Sequence, residues 1–368
     1  MALLGQVFPA VAFGTEAAGS GLDSERNVIR VAGGSRYSTC LEVADELKIA
    51  LGVDKFASVV VASGLDFPDA LAGTYLAAVR EAPMLLIDDG HISMIVDYIR
   101  EHMAADGTIY ILGSENAVSA KAEAALSAVG TISRLGGRSR FVTNLKILEE
   151  VGTSTGELLV VYAINPWDAL SVSSSGRPIL LVNGALRDDQ KQYLEKTDFD
   201  RITIIGSTSV ISEALAGELE NYCSNVGRVF GRNRYQTSME VAKYFYGIPG
   251  GNVIIACGTN FPDGLCSGAL AYARKAPVIL TDAGREPLAA EYVANYDIKT
   301  GYIIGSAKVV SEETVGKIFV RESDPWEKPS AKQPEDYTWE EFEALTSEQQ
   351  MAFQKYLGTV GFKVWMDG

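Results

Sequence analysis

Residues 30–47 read RVAGGSRYSTCLEVADEL, and the pattern returns as RLGGRSRFVTNLKILEEV at 134–151 and as RVFGRNRYQTSMEVAKYF at 228–245. Self-similarity of this kind settles the architecture before any single element is assigned. Working outward from each copy, the same features follow in the same order. An apolar run comes first: SVVVASG at 58–64, ELLVVYA at 157–163 and NVIIACG at 252–258. A turn with one recurrent aspartate comes next, as SGLDFPDALA at 63–72, AINPWDALSV at 163–172 and GTNFPDGLCS at 258–267. A proline-led run (PMLLID from Pro83, PILLVN from Pro178, PVILTD from Pro277) precedes a last run closing in Gly-Ser at Ser114, Ser207 and Ser306.

Apolar runs of four to six residues without polar alternation are what strands buried on both faces look like. Between them lie segments of helical period, such as CLEVADELKIAL at 40–51 and AKAEAALSAVG at 120–130. Alternation of this kind predicts parallel sheets covered by helices, joined by right-handed crossovers. Each unit of roughly 95 residues is just large enough to sustain its own core. The fold expected is therefore α/β, with three tandem parallel-sheet domains and a short C-terminal helical tail.

Helix starts support the register. Thr39 with Glu42 and Thr237 with Glu240 fit a capping box, and Thr143 keeps the cap alone; Ser119, Ser212 and Ser311 stand where a hydroxyl would cap the helix after the Gly-Ser turn. From Asp69 to Pro83 and from Asp263 to Pro277 the step is 14 residues, but from Asp168 to Pro178 it is 10. Losing four residues removes about one helical turn without rotating the helix. The second unit should cover less, or be filled differently.

Boundaries follow: a leader at 1–29, repeats at 30–132, 133–227 and 228–320, a proline-rich charged linker at 321–336 and a tail at 337–368. The leader resembles the back half of a secretory signal without its basic start, and reads as a truncated or mis-started signal peptide. In the tail, Thr338 with Glu341 and Thr346 with Gln349 are helix starts. Trp339, Phe342, Leu345, Met351, Phe353, Tyr356 and Leu357 would give that hairpin an apolar face, to fold back on the repeats or to bind a protein partner.

A net charge of −15 argues against nucleic acid as a partner. No stretch reaches eighteen apolar residues, so no membrane span is expected. Cys40, Cys223, Cys257 and Cys266 lack metal-ligand spacing and read as small buried residues, with a Cys257–Cys266 bridge as the alternative; with two histidines, no His-based metal site is expected. The glycines of VAGGSR, RLGGRSR and VFGRNR do not follow the dinucleotide pattern, and no nucleophile elbow occurs. No cofactor is expected.

The motif order R-x-x-G-x-x-R-[YF]-x-T, strand, [FP]-[PW]-D-[AG]-L, P-[MIV]-[LI]-L, then I-[IL]-G-S resembles the cell-wall-binding repeat of the second type, over roughly residues 30–320. That resemblance implies Rossmann-like or toprim-like domains, three around a pseudo-threefold axis. It also implies a secreted protein of the Gram-positive surface held non-covalently by an anionic wall polysaccharide or teichoic-acid-like polymer. The family segment tied to anchoring maps to Met84–Leu86, Ile179–Leu181 and Val278–Leu280. On pattern alone those residues are buried strands.

Two groups of side chains carry the functional reading. Asp69, Asp168 and Asp263 fall at helix starts, where a carboxylate accepts backbone N–H bonds and suits the helix dipole. They are also placed to hold Arg36, Arg140 and Arg234 across repeat boundaries. Guanidinium groups suit phosphate and carboxylate, so Arg30, Arg36, Arg134, Arg138, Arg140, Arg228, Arg232 and Arg234 are the candidate ligand-binding residues. Asp66 beside Asp69 becomes Asn165 and Asn260 elsewhere, which removes a paired-carboxylate mechanism from two copies. A non-catalytic anchor is the leading reading; an enzyme working at the strand C-terminal crevices and a structural surface-layer or adhesion component are the rivals.

Overall fold

The three apolar runs form the middle of three sheets. In the computed structural model, which describes residues 26–152, 156–247, 251–319, 337–345, 350 and 353, every sheet has four strands, and all pairings are parallel. The first sheet is built from β2 (Phe56–Ser63), β3 (Met84–Ile87), β4 (Met103–Leu112) and β5 (Thr131–Leu135), in the order β3-β2-β4-β5. The second has β6 (Glu157–Tyr162), β7 (Ile179–Val182), β8 (Arg201–Ile205) and β9 (Val226–Val229), in the order β7-β6-β8-β9. The third takes β10 (Gly251–Cys257), β11 (Val278–Thr281) and β12 (Ile298–Ile304), and its fourth strand is β1 (Asn27–Val31), in the order β1-β12-β10-β11.

Each arginine-bearing strand thus completes the sheet of the preceding repeat. β5, carrying Arg134, joins the first sheet; β9, carrying Arg228, joins the second. β1, carrying Arg30 at the start of the first repeat, joins the third, with Val31 opposite Ile304. The sequence repeat and the folded sheet are out of step by one strand, and the chain closes on itself.

The helices repeat that cyclic order. Each arginine segment opens a helix: α1 (Arg36–Leu51), α5 (Arg140–Val151) and α9 (Arg234–Tyr246). Each aspartate loop opens another: α2 (Pro68–Val79), α6 (Trp167–Val172), and a 3₁₀ turn Asp263–Cys266 leading into α10 (Ser267–Ala273). α2 packs on α5, α6 on α9 and α10 on α1. The remaining crossovers are α3 (Ile92–His102), α4 (Ala120–Leu126), α7 (Asp188–Glu195), α8 (Glu213–Leu219), α11 (Glu286–Asn295) and α12 (Glu312–Phe319).

Caps fall partly where the sequence places them. Ser119, Ser212 and Ser311 accept from the backbone N–H groups of Ala122, Leu215 and Thr314. Thr39, Thr143 and Thr237 are not helix caps. Their helices begin earlier, capped by Ser35, Ser139 and Asn233, and the threonines are buried inside the first turns. Serine in two copies and asparagine in the third fill the cap position, so it lacks the uniform residue that the threonine position shows.

The proline-led runs are buried outer strands, as their pattern predicts. Their free edges are met by one helical position in each repeat. Cys40 Sγ accepts from Leu86 N at 3.2 Å, Ser238 Oγ from Leu280 N at 3.0 Å, and Asn144 both accepts from Leu181 N at 2.9 Å and donates to Ile179 O at 2.7 Å. A side chain standing in for a neighbouring strand protects an edge that would otherwise pair with another chain. All four cysteines are buried and free.

The second repeat is filled from its neighbour. α6 has 6 residues where α2 has 12. Into the space Tyr246 donates to Ser174 O at 2.6 Å, and the Tyr272 ring lies against Gly176, which sits at φ +62°. In the separate C-terminal unit, Thr338 and Glu341 form the expected capping box of α13 (Trp339–Glu343), and the Phe342 and Phe353 rings pack 4.9 Å apart. Residues 1–25 of the leader, 320–336 and the helix start at Thr346 lie outside the described residues.

Where the three aspartate-loop helices meet, a Cβ on Gly268 would stand 3.1 Å from Ser173 O and 3.3 Å from Thr74 Cβ. Gly268→Val should therefore lower stability by about 2 kcal/mol or more through overpacking, seen as a reduced denaturant midpoint. Gly316→Ala in α12, where a Cβ meets nothing within 4 Å, should leave the midpoint unchanged or raise it slightly.

Candidate functional site

All eight candidate arginines lie on segments that connect the C-terminal end of one sheet to the next repeat. They divide into three kinds by what they touch. Arg30, Arg134 and Arg228 project from the fourth strand of each sheet and hold its Gly-Ser turn. Their Nη1 atoms donate to Gly305 O at 2.8 Å, Gly113 O at 2.9 Å and Gly206 O at 2.9 Å. A glutamate of the following helix completes each: Glu312 at 2.7 Å, Glu123 at 3.0 Å and Glu213 at 3.3 Å.

Arg36, Arg140 and Arg234 open their helices and reach forward to the aspartate loop of their own repeat. Each donates from Nη1 to the carbonyl that begins the loop: Gly64 O at 2.7 Å, Ala163 O at 2.8 Å and Gly258 O at 2.7 Å. Each also faces the aspartate of the preceding repeat: Arg140 toward Asp69, Arg234 toward Asp168 and Arg36 toward Asp263. One guanidinium thus spans two loops. Arg138 and Arg232 are the third kind: exposed, with side chains free of hydrogen bonds and ion pairs among the described residues.

The aspartates do not cap their helices. α2 and α6 start without a side-chain cap, and the carboxylates turn instead into the seams. Thr143 hydrogen-bonds Asp69 and Thr39 hydrogen-bonds Asp263. These threonine hydroxyls also accept from Gly137 N and Gly33 N, as Thr237 does from Gly231 N. Behind each carboxylate stands the glycine of the Gly-Ser turn: Gly113 at φ +92°, Gly206 at +119° and Gly305 at +105°. A Cβ there would fall 2.4 to 2.9 Å from Asp Oδ2. The recurrent glycine is required twice, by its left-handed backbone and by the carboxylate pressed against it.

Burial pushes all three carboxyls up in pKa. At Asp69 the Thr143 bond and Arg140 oppose the rise, and at Asp263 Thr39 and Arg36 do so. Asp168, 8 % exposed with Arg234 opposing, is pushed up to about 6.

Aromatic side chains flank these loops. Phe261 meets Phe67 edge-on at 5.3 Å and Trp167 edge-on at 6.0 Å, joining all three repeats. The Arg234 guanidinium lies 4.1 Å above the Trp167 ring and that of Arg140 5.8 Å from Phe67. Sequence reasoning missed this cluster. The motif [FP]-[PW]-D shows an aromatic near each aspartate, but Phe-Pro in the first and third copies and Pro-Trp in the second shift it by one residue.

Two further polar clusters sit at strand ends. Tyr37 and Tyr235 donate to Asp88 and Asp282, and desolvation with those carboxylates pushes both phenols up to about 12. The second repeat has Phe141 and Asn183 instead. Cys257 donates to Asp282 at 3.0 Å, and burial with that carboxylate raises its thiol pKa, the reverse of an activated nucleophile. Among the described residues no group of three or more His, Cys, Asp or Glu side chains is placed to hold a metal ion, and no helix is long and apolar enough to cross a membrane.

Comparison with known proteins agrees with the three-repeat architecture. The family model for cell wall binding domain 2 matches residues 30–123, 134–216 and 228–315. The N-acetylmuramoyl-L-alanine amidase LytC of Bacillus subtilis (strain 168) is 22% identical over 301 residues, covering 80% of this chain and 58% of the relative. The amidase enhancer of the same organism is 25% identical over 291 residues, covering 77% and 39%. Among solved structures, Cwp8 from Clostridium difficile aligns with a TM-score of 0.70 at 25% identity, over 80% of this chain and 52% of that one. Cwp6 from the same organism aligns with a TM-score of 0.70 at 22% identity, over 86% and 51%. The chain spans about half the length of these proteins.

The pH dependence of the seams follows from the raised carboxyl. A folded pKa above the unfolded one contributes stability at low pH that is lost as pH rises through about 6. Asp168→Asn mimics the protonated form. Relative to the unsubstituted chain it should gain stability between pH 5 and pH 7.5, by about 1.4 kcal/mol, the rest of the effect of this shift falling below pH 5. Thermal melts at the two pH values check this; an equal offset at both would contradict it.

Proposed function

The chain belongs to the cell wall binding domain 2 family, and from that premise we propose that residues 26–319 form a non-catalytic anchor for an anionic wall polysaccharide or teichoic-acid-like polymer. The observation that carries this reading is the distribution of cations. A chain of net charge −15 carries arginines on the last strand and the following helix start of every sheet, near the strand C-terminal ends where open parallel sheets take ligands. Arg138 and Arg232 present free guanidinium groups there, beside loops already held by Arg36, Arg140 and Arg234.

Similar chemistry in all three copies favours attachment over catalysis, because an active site needs one constellation rather than three. The family relatives point the same way. An amidase and an amidase enhancer share the matched portion and differ in the rest of their chains, as expected if the shared part attaches and the rest acts. Placement at the cell surface and a protein partner for 337–368 belong to the same proposal.

The test is sedimentation with Gram-positive cell walls. Binding should be strong at low ionic strength and fall with salt, since exposed arginine contacts are screened beyond about 10 Å at 0.1 M. The double substitution Arg138→Glu with Arg232→Glu should weaken binding about tenfold, equivalent to about 1.4 kcal/mol over two exposed contacts. Equal binding to walls stripped of anionic polymer would overturn the proposal.

A further inference from the structure

The aspartate loops of the three repeats do more than bridge the seams. They gather Phe67, Trp167 and Phe261, each half-buried, into one contiguous group. Two positions along the same loops, Leu65 and Ile164, are 76% and 47% exposed, a conspicuous display of large aliphatic surface at equivalent places. Guanidinium groups border the rings at Trp167 and Phe67, and Arg140 Nη2 lies 3.9 Å from Asp66 on the first loop. On the second loop, Asn165 Oδ1 is a buried acceptor without a donor among the described residues. The three rings come one from each repeat, so the feature exists once per molecule.

We propose that the three loops form a single central carbohydrate subsite. In it Phe67, Trp167 and Phe261 stack against the apolar face of a sugar ring, while Arg140 and Arg234 face anionic groups of the same polymer. The inference rests on the anchoring proposal and makes it more specific: one polymer segment per three-repeat body, in place of three equivalent sites. A sugar suits the surface better than a protein partner does. Three rings and two aliphatic side chains amount to far less than the roughly 800 Å² a stable protein interface takes from each side. A pyranose presents C–H groups on its face for aromatic contact and hydroxyls at its rim for polar partners, and such mixed lining is what small-ligand sites show. The free arginines Arg138 and Arg232 lie outside this group and contribute screened attraction that the stacking contacts do not.

The experiment uses the full chain and wall polysaccharide released by dilute acid from Gram-positive walls. Titration calorimetry should give one polysaccharide segment per chain, and Trp167→Ala should weaken binding about tenfold, the loss of one strong aromatic contact. Trp167→Phe should recover most of it. Leu65→Ser with Ile164→Ser, both at exposed positions, should weaken binding with unchanged thermal stability, which separates a lost contact from a lost fold. These variants should keep the salt dependence of the parent, whereas Arg138→Glu with Arg232→Glu should flatten it. A stoichiometry of three, or unaltered binding in the Leu65/Ile164 double variant, overturns the central subsite and leaves anchoring standing. Failure of the unsubstituted chain to bind walls or polysaccharide at low salt overturns both.

Discussion

Five residues at the start of the folded body, Asn27–Val31, pair with β12 and so complete a sheet whose other strands all lie beyond residue 250. Everything else in the arrangement depends on that closure. Because each arginine strand finishes the preceding sheet, three repeats in a row leave one sheet short of a strand and one strand short of a sheet. Pairing the two turns a linear array into a cycle in which every repeat has the same neighbours. Arg30 then reaches Gly305 and Glu312 as Arg134 reaches Gly113 and Glu123. The cost is an ordering step that waits for the last repeat, since contacts this distant in sequence form slowly.

The seams show how the cycle is held in register. A buried carboxylate raises its own pKa and gives little stability by itself; paired and hydrogen-bonded, it discriminates between arrangements. Each of Arg36, Arg140 and Arg234 bonds to its own loop and faces the aspartate of the previous repeat. A misplaced neighbour would leave both a guanidinium and a carboxylate buried without a partner. The same geometry brings the aromatic residues together at the junction, because they lie within two positions of the aspartates. Fold and surface chemistry therefore share one set of loops.

Much of this is legible in the sequence. The apolar runs, the three-fold order of motifs, the Gly-Ser turns and the shortened α6 follow from local patterns, and the solved relatives show the same fold. Strand exchange is not legible, because a tandem repeat has no marked beginning: taking Arg30 as the start or the end of a unit gives identical periodicity. The helix caps were hidden by chemical variety, since Ser35, Ser139 and Asn233 serve one role with two side-chain types. The aspartates do lie in first turns, as their position implies, but the direction of their side chains is hidden for a related reason. Sequence position puts a carboxylate in the first turn of a helix, but only the neighbouring repeat, supplying Thr143 or Thr39, shows which way it turns.

Hydrogen exchange tests the cyclic closure most directly. Comparing the full chain with one lacking residues 1–33 isolates β1 while every covalent part of the third repeat remains. In the intact protein Gly305 N donates to Val31 O at 3.0 Å, and the alternate amides of β12 share the same edge. If β1 closes the ring, its removal should collapse protection at Gly305 and along Ile298–Ile304, while β6 and β8 of the second sheet keep theirs. Unchanged protection along β12 in the shortened chain would contradict the account.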